Sequence, residues 1–130
     1  MSTILIVDDE PDCLLSLTDT LHRSGYEVIA LQDGHAALSA LAGGARVDLV
    51  ITEYQLAGMD GLDFIGELSK AAPSVPSIML TAHGTIEMYL KALNLGVYEF
   101  INKPVRTTEI IRIVKAAMEK QKHLTISTKA

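Results

Sequence analysis

The chain has 130 residues and is 48% hydrophobic, which is enough for one domain with its own core. Its 11 basic and 16 acidic residues leave a net charge of −5, which argues against direct binding to nucleic acid or to an anionic membrane. No apolar run approaches the ~18 residues of a membrane span, and the single cysteine, Cys13, cannot form an internal disulfide, so we expect a cytoplasmic protein with a reduced core thiol.

Five short apolar runs predict buried strands, at residues 4–7, 27–31, 49–52, 77–81 and 99–101. Each run is followed by a segment with apolar residues at helical spacing, so the order of strand then helix occurs five times. Such alternation requires right-handed crossovers. It predicts an α/β fold in which helices cover both faces of a mostly parallel sheet.

Polar residues lie at the carboxyl ends of four predicted strands. They are Asp8 and Asp9 after the first strand, Glu53 at the end of the third, Thr81 at the end of the fourth and Lys103 just beyond the fifth. In an open parallel sheet, ligands bind outside the carboxyl ends of the strands, where the winding direction reverses. We therefore expect these side chains to converge in one site.

The chemistry of this predicted site fits phosphoryl transfer. Crowded carboxylates repel one another unless a cation neutralises them, and Mg²⁺ suits two or three carboxylates that also receive a phosphate. The Lys103 amine would bind phosphoryl oxygens, and the Thr81 hydroxyl would bind another. Because phosphoryl transfer needs mainly positioning and charge stabilisation, this short set is sufficient for it. Considered one at a time, Asp8 and Asp9 are typical loop acids and Lys103 is a typical surface amine. Thr81 alone is an ordinary strand residue.

Four strings carry a family resemblance: ILIVDDE, DLVITEYQLAGMDGLDFI, PSIMLTAHG and GVYEFINKP, in this order. With them, the chain resembles the receiver domain of bacterial two-component response regulators, particularly those of nitrogen-regulatory transcription factors. The resemblance implies a flavodoxin-like, doubly wound sheet of five parallel strands in the order 2-1-3-4-5, with five helices. We expect this non-enzymatic domain over residues 1–122, and a flexible tail or the start of a linker over residues 123–130.

The resemblance also implies roles for single residues. Magnesium would be held by Asp9, by Asp8 through water, by the backbone carbonyl of Gln55 and by the carboxylate at position 53. A switch pair would consist of two residues, Thr81 and Phe100. The peptide bond that precedes Pro104 would be cis. The implied partners are a sensor histidine kinase or phosphotransfer protein, and an effector domain or protein.

Glu53 stands where the resembling family has its phosphate-accepting aspartate. The glutamate carries its carboxyl ~1.5 Å farther from the backbone, along one extra C–C bond. A displacement of about 1 Å can cost on the order of a hundredfold in an oriented reaction. Our hypothesis is that Glu53 is a built-in partial mimic of the phosphorylated state. The bias is incomplete because a carboxylate has one charge and two oxygens, against roughly two charges and three oxygens in a phosphate.

A possible output surface follows from the helical wheel of residues 86–95. The stripe expected to meet the sheet holds Ile86, Tyr89, Leu90 and Leu93. The residues of this segment that are expected to face outward are Met88, Ala92 and Leu95. On the last helix, Ile111 and Met118 similarly flank the core stripe. We interpret these five as the surface of the fourth and fifth helices that binds an effector or a second copy of the chain.

Three other functions are known for this kind of sheet. A dehalogenase-like phosphatase would need a second acid two residues after its nucleophile, a spacing that DDE lacks. A flavin-binding protein would need a hydroxyl- and glycine-rich phosphate loop, and DDEPD has the wrong charge for it. The main rival is a pseudo-receiver that acts only as a protein-interaction module, independently of phosphate.

Overall fold

The computed structural model describes the backbone of residues 1–129 and the side chains of residues 1–120. In chain order the elements are β1 (Thr3–Val7), α1 (Pro11–Arg23), β2 (Glu27–Leu31), α2 (Gly34–Ala42), β3 (Leu49–Glu53), α3 (Gly61–Ala71), β4 (Ser77–Thr81), α4 (Ile86–Asn94), β5 (Glu99–Asn102) and α5 (Thr107–Lys129). All strands are parallel, in the order β2-β1-β3-β4-β5, which confirms the predicted fold. The predicted tail over residues 123–130 lies where no side chain is described, and it stays a prediction.

The sheet separates two apolar cores. Along β1, Ile4 and Ile6 point into the core beneath α1 and α5, whereas Leu5 and Val7 point into the core beneath α2, α3 and α4. This alternation follows from the two-residue period of a strand. Because β3 and β4 are buried along their full length, helices must cover both faces, as they do in parallel sheets. No helix among the described residues is long and apolar enough to cross a membrane.

The predicted orientation of α4 is wrong. Ala92 is fully buried and Met88 is half-buried against the core, while Ile86 and Leu90 are 79% and 54% exposed. The helical wheel selected the stripe with the larger side chains. In the structure the short α4 packs on β5, the edge strand, with Ala92 and Met88 toward the core, and Ile86 and Leu90 remain in solvent. Of the three residues expected to point outward from this segment, only Leu95 does.

The two residues assigned to the output surface on α5 are also corrected. Met118 is buried in the core beneath α1 and α5, and Ile111 is half-buried against it. The apolar stripe of α5 is wider than the sequence interpretation assumed, because residues on both sides of Val114 contact the same core.

Gly61 fixes the position of α3 relative to the end of β3. It is the first residue of α3, and its backbone N–H donates to the carbonyl oxygen of Tyr54 at 2.6 Å. A Cβ placed on Gly61 would overlap the carbonyl oxygen of Glu53 and lie 2.9 Å from the Cα of Tyr54. Backbone atoms cannot move aside as a flexible side chain can. The start of α3 can therefore approach residue 53 only if position 61 has no side chain.

We expect Gly61→Ala to destabilise the domain by about 1–3 kcal/mol, the usual cost of overpacking. Gly66→Ala is the matched control, because Gly66 lies inside the same helix with no neighbouring atom within 4 Å of an added Cβ. It should stabilise the domain by roughly 0.5–1 kcal/mol through its helix propensity. Urea unfolding followed by circular dichroism measures both. Equal effects of the two substitutions would contradict the role given to the contact with β3.

Candidate functional site

The site is built by the register of the parallel strands. Val7 pairs with Thr52, Glu53 with Leu80, and Thr81 with Asn102, so the carboxyl ends of β1, β3, β4 and β5 finish at one edge of the sheet. The residues that follow these ends therefore enter a common hollow. This placement agrees with the expectation that ligands of such sheets bind at the carboxyl edge.

The ammonium group of Lys103 bridges two carboxylates in this hollow. Its Nζ lies 2.6 Å from Oε2 of Glu53 and 2.9 Å from Oδ2 of Asp8. The three side chains are nearly enclosed, with exposed fractions of 14% for Lys103, 9% for Glu53 and 2% for Asp8. Bonds between charged partners are shorter and stronger than neutral ones. The predicted convergence of these three residues is thus present in the structure.

The bridge keeps Lys103 protonated. Burial alone lowers the pKa of this amine, because it disfavours the charged form. The hydrogen bonds and negative charges of Glu53 and Asp8 outweigh burial and raise the pKa above its usual value. A permanent positive charge therefore sits between the two acids at neutral pH.

Backbone amides hold the other oxygen of each carboxylate. Oδ1 of Asp8 accepts from the N–H of Glu10 at 2.9 Å, and Oε1 of Glu53 accepts from the N–H of Tyr54 at 2.9 Å. Each carboxylate thus has one oxygen bonded to a backbone N–H and the other bonded to Lys103. The Glu53 side chain lies between the start of the loop after β3 and the amine of Lys103.

Of the three carboxylates predicted to bind magnesium, Lys103 contacts two, those of Asp8 and Glu53. The side chains of Asp9 and Gln55 are exposed. Within the part of the chain that the structure describes, there is no group of three or more histidine, cysteine or acidic residues that could hold a metal ion. The oxygens of Asp8 and Glu53 that face the hollow are both bonded to Lys103. The four-residue magnesium set stays a prediction.

The two predicted switch residues lie beside this hollow. Thr81 is buried at the end of β4, and its carbonyl oxygen accepts from the N–H of Lys103 at 2.8 Å. Phe100 is buried, and its ring meets the ring of Tyr89 on α4 edge to face, with centroids 5.8 Å apart. The peptide bond between Lys103 and Pro104 is cis. The switching role of the pair stays a prediction.

Sequence reasoning missed Asn102. Its Oδ1 accepts from the N–H of Gly84 at 2.9 Å, which ties the loop between β4 and α4 to the end of β5. A Cβ on Gly84 would overlap this oxygen and lie 2.8 Å from the ring of Phe100. We call this contact between Asn102 and Gly84 the loop latch. The two residues are 18 positions apart, and no local motif connects them.

Cys13 lies close to the site but is not a nucleophile. Burial raises the pKa of its thiol to about 11, with further contributions from the hydrogen bond and charge of Asp8, while Lys103 acts in the opposite direction. The thiol is therefore protonated at neutral pH, and thiolate is the reactive form. Its half-buried side chain packs against the core beneath α1 and α5, which agrees with the expected core thiol.

The chain is similar to several known proteins. It is 36% identical over 116 residues to the transcriptional regulatory protein GlrR of Escherichia coli K12, and 35% identical over 118 residues to the nitrogen assimilation regulatory protein NtrX of Azorhizobium caulinodans. Each match covers 89% of this chain and 26% of the relative, so the chain spans about a quarter of their length. The crystal structure of the NtrX receiver domain from Brucella abortus matches at a TM-score of 0.83 and 35% identity, over 89% of this chain and 98% of that one.

Residues 4–115 match the response regulator receiver domain. Receiver domains are signalling modules rather than enzymes, and they interact with histidine kinases and with effector domains. They generally bind Mg²⁺ at the phosphorylation site. The fold, the order of the strands and the matched length agree, and this chain belongs to the receiver domain family of two-component response regulators.

Proposed function

We propose that this receiver domain carries a built-in partial mimic of its phosphorylated state in Glu53, and that it signals through the face formed by α4, β5 and α5. The observation that supports this most directly is the 2.6 Å contact between Oε2 of Glu53 and Nζ of Lys103. Lys103 is the residue expected to bind a phosphoryl group. In this chain the longer carboxylate has already taken that place.

The mimic is incomplete on grounds of charge and geometry. A phosphoryl group on the family's aspartate brings roughly two negative charges and three acceptor oxygens. Glu53 brings one charge, and its Oε1 is engaged by the N–H of Tyr54. A single oxygen is left to bind the amine. The expected bias toward the active arrangement is therefore partial, and a partner that prefers one state can shift it further.

Two contacts connect this site to α4. The loop latch joins Asn102, the neighbour of Lys103, to Gly84. The next residue, Thr85, caps α4, since its Oγ1 accepts from the N–H of Met88 at 3.2 Å. The second contact is the edge-to-face packing of Phe100 on Tyr89. A shift of Lys103 would therefore reach the first turn of α4 through the backbone of β5 and through an aromatic pair.

The corrected orientation of α4 changes which residues form the output surface. The larger exposed apolar side chains of this segment are Ile86, Tyr89, Leu90, Leu93 and Leu95. Clustered exposed apolar residues mark interaction surfaces more often than isolated ones do. We assign to this surface the binding of an effector domain or of a second copy of the chain. A histidine kinase or phosphotransfer protein remains the proposed upstream partner, with no direct binding to nucleic acid.

A pseudo-receiver that works independently of phosphate is the second candidate. The contacts that favour it are the same ones, because Asp8 and Glu53 already have hydrogen-bond donors on both oxygens. Under this alternative, output would be constant unless a protein partner changed it. Phosphoryl transfer to the domain would have no part in its regulation.

We expect Glu53→Asp to accept a phosphoryl group from a small donor in the presence of Mg²⁺, whereas the parent protein does not. The shorter side chain restores the position of the family's nucleophile, ~1.5 Å closer to the backbone. Intact-protein mass spectrometry measures the gain. Glu53→Gln is the matched control that keeps the length of the side chain and should remain unmodified. Full phosphorylation of the parent would rule out the mimic.

Loss of the loop latch should loosen the start of α4. We expect Asn102→Ala to increase amide hydrogen exchange at residues 83–88 by about fivefold, the effect of losing one hydrogen bond worth about 1 kcal/mol. Asn94→Ala, at the exposed C-terminal end of α4, is the control and should leave this segment unchanged. Unaltered exchange in Asn102→Ala would show that the latch does not hold the loop.

A further inference from the structure

We propose that the open edge of β2 is a self-association surface, and that a second copy of this chain pairs with it strand to strand. The two five-stranded sheets would then join into one continuous sheet. This surface lies at the opposite edge of the sheet from β5, and the inference does not rest on Glu53. The α4 surface would then serve an effector.

The outer side of β2 carries backbone groups that the sheet does not use. On the inner side, the N–H of Glu27 and the carbonyl oxygen of Leu31 form backbone hydrogen bonds of 2.9 and 3.1 Å with the residues that flank β1. Since backbone groups alternate in direction along a strand, those of Val28 and Ala30 point away from β1. Within the described part of the chain, these groups have no hydrogen-bond partner.

The edge of β2 lacks the features that usually prevent strand addition. Natural edge strands are protected by lysines, prolines, bulges or very short strands. β2 has the sequence EVIAL, and its one charged residue, Glu27, is at its start. Ala30 is exposed, and Val28 and Ile29 are half-buried. The other edge strand, β5, has four residues and is closely followed by Pro104. The two edges are therefore not equally protected.

A second strand has access to this edge. A groove of about 390 Å³ is lined by Val28 and Ile29 on β2, by His22 on α1 and by Arg46 in the loop between α2 and β3. The first half of β2 thus borders an open groove. Strand addition to an exposed sheet edge gains its affinity from main-chain hydrogen bonds, and the groove leaves room for them.

One register satisfies all the outward groups at once. If two copies pair antiparallel about a two-fold axis at Ile29, Val28 of each copy lies opposite Ala30 of the other. Directly opposed residues whose groups point toward each other exchange two hydrogen bonds in an antiparallel pair. Every outward N–H and carbonyl group of Val28 and Ala30 is then bonded. The two Ile29 side chains form the close central pair, where β-branched residues pack well.

Charge is complementary in this register. Arg46 borders the amino end of β2, is exposed, and has no salt bridge within the described part of its own chain. The carboxyl end of β2 leads to Asp33, the N-cap of α2. Antiparallel pairing brings Arg46 of each copy toward Asp33 of the other, and Glu27 lies opposite the apolar Leu31. Opposite charges at both ends favour this register over a slipped one.

Amide exchange in the parent protein tests the pairing without any substitution. We expect the amides of Val28 and Ala30 to exchange with solvent about threefold more slowly at about 1 mM protein than at about 50 μM, because hydrogen bonds across the interface protect them. The amide of Ile29 faces β1, should be protected at both concentrations, and is the internal control. NMR measures the exchange, and sedimentation velocity measures the mass. Exchange at Val28 and Ala30 that does not depend on concentration overturns the proposal.

Substitutions then locate the interface. Ala30→Pro removes an outward N–H and no bond to β1, which an edge strand tolerates. We expect it to weaken the dimer at least about tenfold, since two-fold symmetry removes two hydrogen bonds at once. Ala30→Ser keeps the N–H and should dimerise like the parent. If circular dichroism shows that Ala30→Pro is unfolded, Ala30→Lys replaces it, because a lysine on an edge strand opposes pairing.

Leu90→Glu distinguishes this dimer from one formed through α4. It places a charge on the exposed α4 surface and should leave dimerisation unchanged. A dimer that is lost in Leu90→Glu and kept in Ala30→Pro would overturn the proposal, because the second copy would then bind α4. Neither result bears on the mimic, which is tested separately by phosphorylation of the parent protein.

Discussion

The enclosed contact of one ammonium group with two carboxylates is the interaction on which this receiver domain depends. Asp8 and Glu53 stand at the ends of neighbouring parallel strands, where the fold forces their side chains into the same hollow. Two buried acids that share one hollow require a counter-charge. Lys103 supplies it. This lysine directly follows β5, and its peptide bond to Pro104 is cis. The edge strand is thereby joined electrostatically to the middle of the sheet.

The same lysine is placed where a change in the hollow can reach the surface. Its neighbour Asn102 holds the loop before α4, and Phe100 on the same strand touches Tyr89. The short α4 is attached to the body through the buried Ala92 and the half-buried Met88, while Ile86 and Leu90 are exposed. A helix anchored in this way has few contacts to lose when it moves. Such elements come from the less stable part of a structure, which is the property that the proposed output surface requires.

Local pattern was sufficient to predict the strands and the convergence of Asp8, Glu53 and Lys103, whereas the order of the strands came from the family resemblance. Period-two burial and strand ends are properties of short segments, and the parallel topology then places those ends at one edge. The orientation of α4 could not be predicted in this way, because it depends on which stripe fits the edge strand rather than on which stripe is more apolar. The loop latch joins the last residue of β5 to the loop before α4, two segments whose sequences carry no common signal.

The absence of a side chain at Gly61 has a consequence for how this domain relates to its phosphate-accepting relatives. Because the first residue of α3 donates to the carbonyl oxygen of Tyr54 and has no room for a Cβ beside the carbonyl of Glu53, packing constrains the main chain at position 53 whichever acid it carries. Glutamate and aspartate would therefore occupy the same frame. At this position, a receiver with glutamate and one with aspartate differ by a single methylene group, held by the same packed main chain.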